Sequence, residues 1–289
     1  MTRLVVGDPQ PVTSTLRSGV EGTPAAATGT VTVTVTADDG TAIATNAATS
    51  TSSTGVYSWT PTAAMLSQPD IWTLVWSDKT GSTLNRQVTT YVKVTGAVTL
   101  TPYEMRERYA DQFGGTAASR WTATRLADAI AAAEYRAEQL MRCAPVPSYA
   151  RFTTTGDGGT KLFLPRPYLR ELRQVTVDGG DVALADLDTL HDELCPIVTG
   201  YGWTKDAPVV VRFEHGLDAP PATVVDAIAA TARLYASRST SAVPDRAERW
   251  QPAGAGGFYS LAMPTANTVG LPEADAIFEA ERWKGGDLW

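Results

Sequence analysis

The sequence predicts a multidomain chain. An all-β sandwich spans residues 1–98, and an α+β domain, mainly helical, spans residues 99–289, with a small sheet and an extended C-terminal tail. Three observations predict this. A chain of 289 residues is comfortable for two domains. The composition shifts near residue 98: the first part carries 22 threonines against five basic and six acidic residues. The hydrophobic period also changes there, from two residues to between three and four.

In the first part, Thr30-Val31-Thr32-Val33-Thr34-Val35-Thr36 alternates polar with β-branched apolar residues, so Val31, Val33 and Val35 share one strand face. Asp38-Asp39-Gly40 reads as a turn and Thr41–Thr45 as the return strand. Gly55–Thr60 and Ile71–Trp76 are strands rich in aromatic residues. Asp78–Ser82 reads as a turn before a closing strand, Gln87–Thr95. Six or seven short strands in about 90 residues suit a β-sandwich. No cysteine pair is available to bridge its sheets, which excludes an antibody-type domain.

The second part opens on Thr101-Pro102-Tyr103-Glu104, a capping box with proline at the first helical position. This helix is expected to run to Phe113 and to end at Gly114-Gly115. A longer helix, Thr124–Cys143, carries Leu126, Ile130, Ala133, Ala137, Leu140, Met141 and Ala144 as one apolar stripe. Glu138 and Arg142 are placed one turn apart on its wet side. Ala144-Pro145-Val146-Pro147 stops it. Strands follow at Lys161–Leu164, Leu172–Val177 with Asp181–Leu184 as a hairpin, and Val209–Phe213. A helix at Pro221–Ser237 buries Val224, Ile228, Ala232 and Tyr235. Ser239–Asn267 reads as an extended loop with a short strand near Tyr259–Ala262, and a final helix begins at Pro272.

Apolar residues make up 43% of the chain and charged residues 19%, with a net charge of −7 and a pI near 4.9. That balance argues against non-specific nucleic-acid binding, which works by replacing counterions with Lys and Arg, and against docking on an anionic membrane. No apolar run approaches the roughly 20 residues that span a bilayer. The N-terminal residues lack a signal-peptide core, so a cytoplasmic site of synthesis and residence is expected. Cys143 and Cys195 read as buried free thiols.

Few motifs carry chemistry. His191 and Cys195 stand four residues apart, but no second pair completes a zinc site, since Cys143 and His215 are isolated. No metal and no cofactor is expected. Asp186, Asp188, Asp192 and Glu193 read first as a solvated charge run, with a weak Ca²⁺ site as the alternative. Gly156–Lys161 lacks phosphate-loop spacing and a following helix, and reads as a hairpin turn. Gly254–Gly257 fails likewise. No catalytic residues are assigned and no enzyme is expected. The unusual feature is the C-terminal quarter, where a Gly/Ala/Pro-rich loop precedes Ile277, Phe278, Trp283, Leu288 and Trp289. Aromatic residues near a chain end serve as anchors for a partner. Folding back onto their own domain is an equal alternative for Ile277 and Phe278, and a weaker one for Trp289.

Residues 100–289 resemble the head–tail connector (adaptor) proteins of long-tailed bacteriophages. The carrying segments are Leu100–Arg106, the Ala-rich helix ending Met141-Arg142-Cys143, Val209–Leu217 leading to Pro221 and Val225–Ala229, Val243–Ala247, and Val269–Asp275. The likeness lies in their order and spacing and covers about two thirds of the chain. Residues 1–98 depart from the minimal connector and look like the Ig-like modules that phages append to virion proteins. The resemblance implies a structural virion protein of the neck, assembled in host cytoplasm. It implies a ring, usually of twelve copies, beneath the portal, extending the DNA channel toward a neck stopper or tail-terminator protein. Genomic DNA would pass without specific binding, and no membrane is involved. Portal docking then falls to Ile277, Phe278, Trp283, Leu288 and Trp289.

Two other readings compete. One is a cell-surface or carbohydrate-binding protein led by the Ig-like domain, with Tyr57, Trp59, Trp72 and Trp76 as stacking residues. The weakest is an enzyme using the Asp186–Glu193 cluster with His191.

Overall fold

The computed structural model describes residues 2–18, 22–114, 121–191, 196–238, 249–250, 259–260 and 268–283. The chain divides into two compact units. Unit 1 is Met1–Ala97 with Ser148–Ala150, and unit 2 is Val98–Pro147 with Arg151–Trp289.

Unit 1 contains β1 (Thr2–Val5), β2 (Val12–Thr15), β3 (Thr30–Thr36), β4 (Ala42–Ala47), β5 (Thr49–Ser50), β6 (Val56–Trp59), β7 (Asp70–Thr80) and β8 (Thr83–Thr95). They form a five-stranded sheet in the order β1-β8-β7-β3-β4 and a three-stranded sheet in the order β2-β6-β5. Val31, Val33 and Val35 are buried in alternation along β3, as strand geometry requires. Their register partners continue the inward row, with Val33 opposite Trp76 and Val35 opposite Leu74, and Trp72 opposite Val92. Val12, Tyr57 and Trp59 from the second sheet complete one shared core. The Trp76 indole N–H, inside that core, donates to Thr90 Oγ1 at 2.9 Å.

The expected turn at Asp78–Ser82 is shorter than predicted. Asp78, Lys79 and Thr80 belong to β7, paired with Arg86, Leu84 and Thr83, and a register shift falls between Asp78 and Lys79. The cause is tertiary. The Asp78 side chain is fully buried and accepts from Thr28 N (3.1 Å), Gly29 N (2.9 Å) and Arg86 Nε (3.1 Å). It ties the loop before β3 to β8 instead of facing water. Burial alone would raise its pKa, but the amides of Thr28 and Gly29 and the Arg86 guanidinium outweigh it and hold the carboxyl below its usual range.

Unit 2 begins with α1 (Pro102–Arg108), α2 (Ala110–Phe113) and α3 (Ala123–Met141). The capping box forms as the residues dictate: Thr101 accepts from Glu104 N at 3.2 Å, and the Glu104 carboxylate accepts from Thr101 N at 2.7 Å. The single helix expected to Phe113 is broken at Tyr109. The break turns Phe113 into the core, edge-on to Trp121 with ring centroids 5.1 Å apart. α3 ends at Met141 because Arg142 takes a left-handed conformation, φ 55°.

The strands of unit 2 are β9 (Ser148–Thr155), β10 (Leu162–Phe163), β11 (Leu169–Val177), β12 (Gly180–Val182), β13 (Asp188–His191), β14 (Pro196–Thr199) and β15 (Pro208–His215). They make two sheets, in the orders β12-β11-β15-β9 and β10-β14-β13. Among the described residues this unit thus holds a four-stranded and a three-stranded sheet where one small sheet was expected. β13 and β14 are only four residues each, so they leave little periodic signal. The Gly156–Lys161 segment is not a hairpin turn either, since β9 and β10 lie in different sheets. It runs against residues 203–207 instead, through Gly158 N to Trp203 O and Gly156 N to Ala207 O, each 2.9 Å. A side chain at Gly156 would meet the Thr204 carbonyl.

The last helices are α4 (Ala222–Arg238) and α5 (Pro272–Ala280). Between them, backbone pairing joins Arg249–Trp250 to Tyr259–Ser260. Met105, Phe113, Ile130, Met141, Val224, Ile228 and Phe278 belong to one helical core.

Candidate functional site

The chain's described C-terminal end is built by α5 lying against α3 and α4. Pro272 opens α5 without costing a hydrogen bond, because the first amides of a helix have no internal partner. The spacing of Ala274 and Phe278, four residues apart, puts both on the buried face. Phe278 is 1% exposed and sits inside the helical core, so its surface serves its own unit and is not open to a partner. That corrects its assignment as a docking residue. Ile277 is half-buried and packs against the same core. Trp283 lies beyond the helix, half-buried, and its backbone N–H donates to the Met141 carbonyl at 2.8 Å, capping the end of α3. Leu288 and Trp289 lie outside the described residues.

Beside this exit, an open groove of about 550 Å³ is lined by Tyr168, Leu169, Arg170, Gly216, Leu217 and Asp218. It lies where β11 starts and β15 ends, and Gly216 N donates to Tyr168 O at 3.1 Å across the gap. Leu217 N donates to Ala144 O at 3.1 Å, which ties the groove to the segment just after α3. Tyr168 is 55% exposed and held at φ 55°, a conformation that costs a non-glycine residue energy. Its phenol pKa is raised by partial burial and by the nearby Cys143 and Glu281. Arg170 pairs with the exposed Asp218, and Arg173 with the buried Glu214. His215 is buried next to them, with its ring 5.8 Å from Phe213.

Sequence reasoning missed this groove and its arginines. Alternation along β11 and β15 shows only that Arg170, Arg173 and Glu214 lie on strands, and the hydrogen-bonded register between the strands brings them together. It also placed Glu138 in water. Glu138 is buried on α3 and faces Arg166 at 3.9 Å, because the segment before β11 covers that side of the helix. Glu134, a turn earlier, is buried as well and accepts from Thr99 N at 2.7 Å.

Cys143 is buried and unpaired, and burial, with Glu138 nearby, pushes its thiol up to about 12. Cys195, Asp192, Glu193 and the Gly254–Gly257 segment lie outside the described residues, as does the side chain of His191. Asp186 and Asp188 are exposed. Among the described residues, no group of three or more His, Cys, Asp or Glu side chains is placed to hold a metal ion. In unit 1, Tyr57, Trp59, Trp72 and Trp76 are all buried in the core, so none presents a ring face to a sugar. The carbohydrate-binding reading loses its residues. No helix among the described residues is long and apolar enough to cross a membrane.

The chain matches no protein-family model and no curated protein. Among solved structures it is similar to a chain in the neck of an empty GTA particle determined with C6 symmetry. The two are 19% identical, the match covers 64% of this chain and 89% of that one, and the TM-score is 0.44.

Proposed function

We propose that this chain is a non-catalytic structural protein of a phage-like particle. It acts as an adaptor in the neck, joins the portal to the tail or the next neck protein, and forms a ring that extends the DNA channel. The observation that carries the reading is a convergence. Segments on which the sequence resemblance rests lie far apart in the chain, yet they supply one core: Met105 from α1, Met141 and Cys143 from the end of α3, Ala227 and Ile228 from α4, and Val269 and Ala274 around the start of α5. A resemblance carried by order and spacing is expected to produce that if the segments are parts of one fold.

An appended Ig-like module is supported by the way unit 1 passes between two sheets that share one core, β3 and β4 in the larger, β5 and β6 in the smaller, then β7 and β8 in the larger again. The net charge of −7 suits a conduit, since a basic lining would hold DNA by its phosphates. With Phe278 committed to the core, portal docking falls to Leu288 and Trp289, with Ile277 and Trp283 at their base.

The test is affinity capture of the tagged full-length chain from cells producing particles. Portal and neck proteins recovered at near-equal copy number support the adaptor reading, and Leu288→Ala/Trp289→Ala should weaken portal recovery at least tenfold. Capture of no virion protein from cells making full particles overturns it.

A further inference from the structure

We infer that the three-stranded sheet β10-β14-β13 joins copies of this chain edge to edge, with β13 of one copy lying alongside β10 of the next. This deepens the ring reading above by giving the ring a contact surface. The closure of the ring rests on that reading, while the contact itself belongs to the chain alone.

The observation is a pair of rows across one face of the sheet. Residues level with one another on neighbouring strands point to the same face. Leu162, Val198 and Thr189 are level, and the burial of Leu162 and Val198 makes theirs the inner face. Phe163, Ile197 and Leu190 are level one step along, so they point to the outer face. Ile197 in the middle is buried, while Phe163 and Leu190 at the two ends are 39% and 50% exposed. The other row on that face sets Asp188 level with Thr199. The β10 register, carried one residue back from Leu162, brings Lys161 level with Thr199 from the opposite side. The outer face thus ends in Lys161 and Phe163 at β10, and in Asp188 and Leu190 at β13.

Each edge offers what the other lacks. Lys161 and Asp188 are both exposed, and neither has an ion-pair partner among the described residues. β10 and β13 both run antiparallel to β14, so they are parallel to each other. A second copy added by continuing the sheet therefore brings Asp188 to Lys161 and Leu190 to Phe163 in one register. A slip of one residue turns the facing side chains to opposite faces and loses both pairs. Pairing like edges fails as well: a β13–β13 contact offers Asp188 another Asp188, and a β10–β10 contact offers Lys161 another Lys161.

Charged residues on edge strands deter chance pairing. Opposite signs at opposite edges repel like edges and admit the unlike pair, which makes the contact specific. A contact between unlike edges repeats from copy to copy and closes into a ring where the rotation between copies closes. Strands of two and four residues make a seam far smaller than a standard interface, so two copies alone associate weakly. In a closed ring each copy is held at both edges, and the last contact forms at a high effective concentration.

The experiment is sedimentation of the full-length chain at low ionic strength, where exposed charges are least screened. It is compared with Lys161→Glu, Asp188→Lys, the double variant Lys161→Glu/Asp188→Lys, and an equal mixture of the two single variants. The wild type should associate at concentrations up to about millimolar. Each single variant alone should associate about tenfold more weakly, because one reversal sets like charges together. The double variant exchanges the two signs, and in the mixture each variant supplies the edge the other needs, so both should recover the association of the wild type. A wild type that stays monomeric over that range, single variants that associate as the wild type does, or a mixture no better than either variant alone overturns the inference. No portal enters the test, so its failure leaves the adaptor reading standing, and failure to capture a portal leaves the seam standing.

Discussion

Asp70 opens β7 at the edge of the unit 1 core, 8% exposed and opposite Val94. Burial raises its pKa from 3.8 to about 6, opposed by the amides of Ile71 and Asp38 and reinforced by the carboxylates of Asp38 and Asp39. Between pH 4 and 6 the folded chain therefore binds a proton at this site that the unfolded chain has released. Stability is linked to the difference in bound protons, so this site's contribution falls as pH rises through that window and stays low above it. A shift of roughly two units corresponds to about 3 kcal/mol, an upper figure because water reaches part of the carboxyl.

Asp70→Asn is nearly isosteric, cannot ionise, and keeps an oxygen to accept the Ile71 N–H bond, 2.7 Å in the parent. It should stabilise unit 1 by about 2 kcal/mol at pH 7.5, leave it almost unchanged at pH 4, and flatten the stability profile between. Urea unfolding of the full-length chain at pH 4, 5.5 and 7.5 measures this, with unit 1 followed by hydrogen exchange in β3 and β7. An Asn variant less stable than the parent at pH 7.5, or one with an unchanged pH slope, refutes the reasoning.

Asp78→Ala removes the acceptor shared by Thr28, Gly29 and Arg86 and leaves a half-buried guanidinium without its counter-charge, held only by the Ala25 and Ala26 carbonyls. Unfolding of unit 1 should become about 3–5 kcal/mol easier, and Asp78→Ala/Arg86→Met should cost clearly less than the sum of the single changes. Phe278→Ala empties a fully buried ring site between α5 and the core. It should lower the stability of unit 2 by about 3–5 kcal/mol in denaturant, whereas a surface anchor would lose almost nothing.

How far the sequence could be read depended on how local the deciding physics was. β3 was legible because alternation in seven residues fixes a strand and its buried face. The α1 start was legible because Thr101 and Glu104 satisfy each other's amides within one turn. The α5 start was equally plain from Pro272. The break at Tyr109 was not legible. The residues on both sides favour helix, and the gain comes from seating Phe113 on Trp121, a contact made only after folding. The same limit applies to the candidate site. The aromatic end was visible as composition, but nothing in residues 272–283 separates a buried Phe278 from a free one.

By itself the sequence determined the division near residue 98, the alternating strands of unit 1 and the capped helices of unit 2, because each follows from neighbours within a turn or a strand. Only the tertiary structure decided where charge is buried. Asp78 leaves the surface because the Thr28–Gly29 loop and Arg86 of β8 donate to it, and Glu138 leaves it because Arg166 arrives from another element. The groove by the chain's exit exists only through the β11–β15 register that sets Arg170 beside Gly216 and Asp218. Burial and ion pairing are properties of what the rest of the chain brings to a residue, and a local pattern does not contain them.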